Sequence, residues 1–180
     1  MGAAVHCLLR VLGEHCPPLR PALAEAVAAS SPSRLRCPPL QWDPTPPSSS
    51  PPPPSSSQGG GGASEGARRA ALGALLGLGH AAKCAGQSGG GALLAELMRL
   101  LRSLLPGNLP GNPAGKDPSA DPRLSMAAAC AGHMPELRAG AAAALPAVAT
   151  AAYLARAATD DDVAGILADL QRAIAVDRED

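Results

Sequence analysis

Aromatic side chains are almost missing from this sequence. It has no Phe, one Trp (Trp42) and one Tyr (Tyr153), and only two Ile, Ile166 and Ile174. Its apolar residues are mostly Ala and Leu. Ala raises helix propensity but removes little surface from water. A core of that composition is thin and predicts modest stability for the isolated chain. Excess charge is missing as well: fifteen basic residues balance fifteen acidic ones. Zero net charge removes the electrostatic footprint of a nucleic-acid binder and the polybasic patch of a membrane-surface protein. Arg68-Arg69 is the only basic doublet, and a solvated helix start accounts for it.

Targeting and processing signals are also lacking. The N-terminal apolar stretch has no basic region before it and is interrupted by Arg10 and Glu14, unlike a signal peptide. His6 stands where N-myristoylation requires Ser or Thr. Five cysteines (Cys7, Cys16, Cys37, Cys84 and Cys130) are odd in number and have no close pair, so they do not form a disulfide framework. Residues 139–155 carry no charge, but they are mostly Ala, contain Pro146 and are short for a bilayer span. The expectation is a reduced, cytoplasmic protein without direct membrane insertion.

Catalytic signatures are missing too. There is no GxSxG nucleophile turn and no catalytic-cysteine pattern. Gly59–Gly62 and Gly89–Gly91 follow no strand and lack the Lys-Ser/Thr of a phosphate loop. No β-strand pattern is evident, which argues against an α/β enzyme. A non-enzymatic chain without a cofactor is expected.

What is present is helical. Gly91–Leu105 is the clearest amphipathic stretch. Leu93, Leu97, Leu100, Leu101 and Leu104 recur at helical spacing, and Leu94, Met98 and Leu105 widen the stripe. Glu96, Arg99 and Arg102 sit on the other face, where Glu96 and Arg99 can pair across one turn. Glycines open the segment and Pro106-Gly107 closes it. So apolar a stripe needs other helices to cover it.

Taken in order, the chain starts with a helix over Ala3–His15, striped by Val5, Leu8, Leu9 and Leu12. A second, over Leu19–Ala29, follows Pro17-Pro18 and makes a short hairpin with the first. The start of the chain inside a helix is what a piece of a longer repeat array would show. Residues 1–42 are read as this N-terminal unit, with Leu35, Leu40 and Trp42 packing back on it.

Residues 43–66, DPTPPSSSPPPPSSSQGGGGASEG, are low in complexity and read as a disordered linker of polyproline and flexible Gly segments. Pro44 and Pro47 have PxxP spacing, but no Arg stands at the flanking position that orients such ligands. Ser31-Pro32 and Ser50-Pro51 match the unspecific dipeptide of proline-directed phosphorylation.

Residues 67–180 read as the main helical domain, with a loop at 107–122. Its helices are Ala67–Ala85, paired with the Leu-rich stretch as a central hairpin, then Leu124–Gly132, then one from Glu136 that Pro146 kinks or ends before Ala147–Ala158. Thr159-Asp160-Asp161-Asp162 is the best helix start: Thr159 can cap, and acids suit the positive end of the dipole. Val163, Ile166, Leu167, Leu170 and Ile174 stripe the helix that follows, through Val176.

One metal arrangement is conceivable. His80 and Cys84 are four apart, and Cys130 and His133 three apart. Brought together, they would form a Cys2His2 set suited to zinc. A Pro-rich insertion separates the pairs, neither has a CxxC knuckle, and buried free cysteines are ordinary in small-residue helices. His6-Cys7 and His15-Cys16 form no second set, because nine residues lie roughly half a turn out of phase on a helix.

A loose repeat is visible. ALGALLGLGH (Ala71–His80) and LSMAAACAGH (Leu124–His133) both end a small-residue helix in Gly-His. With short amphipathic helices in antiparallel pairs, Pro at the turns and Ala/Leu interfaces, this resembles HEAT and armadillo-type α-solenoids. Arg34–Trp42, RLRCPPLQW, is similar to a Leu-Pro-Pro-x-x-Trp stretch of the focadhesin family of intracellular helical-repeat proteins, and departs from it where residues 43–66 replace any folded continuation. The resemblance implies an all-α fold of solenoid type and a scaffold that binds other proteins along a groove, without an active site. Arg99, Arg102 and Arg172 would form a partner face, or only solvated helix faces. The alternatives are a zinc-stabilised regulatory domain, or a largely disordered segment that folds on a partner.

Overall fold

The computed structural model describes residues 2–29, 64–85, 90–105 and 121–176. The Pro/Ser/Gly linker, the RLRCPPLQW stretch with Trp42 and the loop at 107–122 lie outside the described residues, save for the linker's last few residues and the loop's Asp121 and Pro122. Among the described residues the fold is all-α, without strands. The helices are α1 (Gly2–His15), α2 (Arg20–Ala29), α3 (Glu65–Ala85), α4 (Gly91–Ser103), α5 (Pro122–His133), α6 (Pro135–Leu154) and α7 (Asp160–Val176). A 3-10 turn, Pro17–Leu19, joins α1 to α2, and the Arg20 guanidinium donates back to the Gly13 carbonyl at 2.8 Å.

The Leu-rich helix is covered as its stripe requires. Leu94, Leu97, Met98, Leu100 and Leu101 of α4 are buried, and Leu104 and Leu105 continue the buried row. Its cover comes from α6, α2 and α5. The expected central hairpin of α3 with α4 does not form as a packed pair. Instead α6 lies against both, and its packing on α3 is the most extensive among the described helices. Small residues decide this. A Cβ added to Gly79 would stand 3.1 Å from the Ala144 Cα, and one added to Gly140 would stand 2.8 Å from Leu75 Cδ1. Two notches, one on each helix, let the backbones approach closely enough for Ala to fill the interface. The Arg68–Glu136 pair, 3.6 Å apart, joins the two helices near their N-termini.

α6 also corrects the expectation that Pro146 ends its helix. The helix runs unbroken from Pro135 to Leu154 with Pro146 inside it. An interior proline disfavours a helix by about 3 kcal/mol. Around it, Ala141, Ala144, Leu145, Val148, Ala149 and Ala152 are buried, and that burial outweighs the local penalty. Thr150 donates its hydroxyl to the Pro146 carbonyl at 2.8 Å.

The remaining contacts set the layers. α1 packs on α3, α2 on α4, and α5 on the 3-10 turn, α2 and α4. α7 closes one side of α6.

Candidate functional site

The last two helices leave an apolar groove open. Exposed positions on α6 recur at Ala139, Ala143, Pro146, Thr150 and Tyr153, none of them charged. A solvent-facing helix row normally carries charge. Beside it lies α7, whose stripe is only partly used. Ile166 and Ala173 are buried, while Leu167 is 58% exposed and Ile174 56%. Between the helices is a cavity of about 320 Å³, walled by Pro146, Thr150 and Tyr153 on one side and Val163, Leu167 and Leu170 on the other. Its one charged lining residue is Asp160.

The turn between the helices sets the open end. Ala157 N–H reaches back to the Ala152 carbonyl at 2.8 Å and Arg156 N–H to Tyr153 at 2.9 Å, closing α6. Arg156 takes the left-handed conformation (φ 56°) that glycine ordinarily supplies at this place. Thr159 then opens α7: its N–H and hydroxyl both donate to Asp162 Oδ2 at 2.8 Å, and Asp162 N–H returns a bond to the Thr159 hydroxyl at 3.2 Å. This reciprocal capping box bears out Thr159 as the cap. The Thr159 backbone bond, then its hydroxyl bond, holds the Asp162 carboxyl below its ordinary value. Asp160, the hydrogen-bonding neighbour of the Tyr153 hydroxyl, pushes the phenol above its ordinary value.

α7 is held by an ion cluster rather than by its whole stripe. Asp169, 5% exposed, accepts from Arg102 of α4 at 2.8 Å and from Arg172 at 3.2 Å. Arg102 also lies over Gly165, where a Cβ would stand 3.2 Å from its guanidinium. Two of the three arginines considered as a partner face therefore converge on one carboxylate inside the chain. The third, Arg99, pairs with Glu96 at 2.8 Å, as their spacing predicts.

The zinc candidates are not brought together. His80 and Cys84 lie near the end of α3, and Cys130 and His133 near the end of α5, two helices that are not packed partners. His80 and His133 are exposed, and the Cys84 side chain lies outside the described residues. Among the described residues no group of three His, Cys, Asp or Glu side chains is placed to hold a metal. Cys130 instead lies near Cys16. Arg123 at the start of α5 meets Glu25 of α2 at 2.6 Å, and α5 then runs back along the 3-10 turn, where Cys16 is 1% exposed. Burial first, and the neighbouring Cys130 second, push the Cys16 thiol up to about 12. Burial raises Cys130 as well.

The sequence stripe contained Val163, Leu167, Leu170 and Ile174, but nothing in it marked them as half-covered. The usable signal was the chargeless row on α6. That helix is the one described helix long and apolar enough to cross a bilayer, and half of it is buried inside the bundle. No family model, curated protein or solved structure matches the chain.

Proposed function

We propose that the chain is a non-enzymatic protein–protein interaction module of helical-repeat type, acting in the cytoplasm, with the α6–α7 face as its contact surface. One observation carries this reading: uncharged, exposed Pro146, Thr150 and Tyr153 of α6 line one open cavity with Val163, Leu167 and Leu170 of α7. Contiguous apolar surface of this kind marks interaction sites on folded proteins. The stacking of alternate helices, α1 on α3 and α2 on α4, supports the repeat-type reading.

Site-specific photo-crosslinking in cells tests it. A benzoylphenylalanine at Thr150 or Leu167 is expected to give discrete protein adducts. The same probe at exposed Ala24 on α2 is expected to give none. Absence of adducts at the groove, or the same adducts at all three positions, overturns the proposal.

A further inference from the structure

We infer that α7 is a strap that opens as a unit while the rest of the bundle stays folded, and that Asp169, held between Arg102 and Arg172, is its latch. The inference goes beyond the interaction reading and does not depend on it. α7 buries three of its seventeen residues, Ile166, Asp169 and Ala173. α6 buries nine of twenty, and α4 five of thirteen. The apolar hold on α7 therefore comes down to Ile166 and Ala173, with Leu170 half-buried beside them. Leu167 and Ile174, from the same stripe, face solvent. A helix that removes so little apolar surface from water opens at a lower free energy than the elements it rests on.

The latch supplies what the stripe leaves out. The Arg102 guanidinium reaches from α4 to Asp169 at 2.8 Å, and Arg172 reaches it from the next turn of α7 at 3.2 Å. The carboxylate is buried, but the two guanidinium groups are about one-third and one-half exposed. Dissolved ions reach the arginines, so the attraction weakens as salt rises. Gly165 makes room for the latch: an added Cβ there would stand 3.2 Å from the Arg102 guanidinium. The pivot lies just before α7. Ala157 packs on Gly91 at the start of α4, where an added Cβ would stand 3.3 Å from the Ala157 Cβ. The Ala157 N–H is also bonded to the Ala152 carbonyl of α6. That turn stays with α4 and α6 when the helix beyond Thr159 leaves. Its departure uncovers the buried Ala149 side of α6. Seventeen residues without tertiary cover are marginal as a helix in water. The amides of α7 therefore exchange with solvent each time the strap opens.

Native-state hydrogen exchange on the full chain, read by mass spectrometry, tests the strap. Raising sodium chloride from about 0.02 M to about 0.5 M is expected to speed exchange of the α7 amides about twofold to fivefold and to leave those of α3 unchanged. Asp169→Asn is expected to speed the α7 amides about fivefold or more, again without moving α3, and to remove most of their salt dependence. Gly79→Ala, which disturbs the seat of α6 on α3, gives the converse. It is expected to speed the α3 amides about fivefold or more and to leave the α7 amides where they were. Circular dichroism confirms that both variants are folded, and the salt series on the unmodified chain needs neither of them. If Gly79→Ala speeds α3 and α7 together, α7 opens only with the whole bundle and the inference is overturned. An α7 salt dependence no larger than that of α3, or one that survives Asp169→Asn intact, overturns it as well.

Discussion

Gly79 of α3 sits directly against Ala144 of α6, so that a Cβ on Gly79 would stand 3.1 Å from the Ala144 Cα. The contacted atom is backbone and cannot swing aside. Gly79→Ala is therefore expected to destabilise the fold by about 1–3 kcal/mol, overcoming the gain in helix propensity of roughly 1 kcal/mol. Gly73, on the same helix, has nothing within 4 Å of its added Cβ. Gly73→Ala is expected to stabilise by about 0.5–1 kcal/mol. Urea midpoints of the two variants, moving in opposite directions, check the pair.

Asp169 is the tether of α7. Its carboxylate is buried and accepts from two guanidinium groups that are themselves one-third to one-half exposed. Solvent around the arginines screens them, so the loss on Asp169→Asn is expected to be about 1–2 kcal/mol, well short of a fully buried pair. Hydrogen exchange is the discriminating readout. Amides of α7 should lose protection more than those of α3.

The α7 cap carries a pH dependence. Thr159 bonds hold the Asp162 carboxyl below its ordinary 3.8, so the unfolded chain binds a proton there more readily than the folded one. The resulting stabilisation is present above 3.8 and is lost as pH falls through the lower, folded value. Thr159→Ala is expected to lower stability by about 1 kcal/mol at pH 7. The difference from the unmodified chain should narrow in acid, as followed by thermal melts from pH 7 to pH 2.5.

Thiol reactivity should separate the cysteines. Cys7 is exposed, whereas Cys16 and Cys130 are withdrawn and their thiols raised by burial. A thiolate is the nucleophile, so in the folded chain N-ethylmaleimide at pH 7.5 is expected to label Cys7 well before either. Mass spectrometry of the peptides reads the order. Cys16 ordinarily ionises near 9.0 and in the fold near 12. The stability it contributes is present below 9.0 and is lost as the pH rises between those values.

Arg156 adopts φ 56° at the end of α6. Arg156→Gly removes the strain of a branched Cα in that region and is expected to raise the thermal midpoint, by about 0.5–1 kcal/mol of stability.

Much of this architecture was legible in the residues. Among the described residues, six of the seven helices follow from apolar spacing and from Pro and Gly at the breaks, because those signals act within one turn. Pro146 misled for the same reason. Its local penalty is visible in the sequence, while the burial of Ala144, Leu145, Val148 and Ala149 around it belongs to the tertiary fold. The short spacing between α3 and α4 in the sequence suggested a hairpin of the two. What lies against both instead is α6, far along the chain, and the close approaches at Gly79 and Gly140 that seat it on α3 are visible only in the fold. Of the groove, Val163, Leu167 and Leu170 were legible as a stripe. That half of the stripe stays uncovered depends on where the Asp169 cluster pins the helix, and on α6 presenting uncharged residues beside it. Cys16 and Cys130, neighbours in the fold, stand 114 positions apart in the sequence, and no local pattern encodes that.

The lateness of α6 has a consequence for synthesis. The leucine row of α4 is complete at Leu105, but its cover extends to Leu154. At ordinary ribosomal rates of about 5–20 residues per second, that row waits roughly 2–10 seconds before the last of its cover, α6, has been made. During that interval the nascent chain presents a partly uncovered leucine helix, the condition under which chaperones that hold emerging apolar segments become part of how a protein reaches its fold.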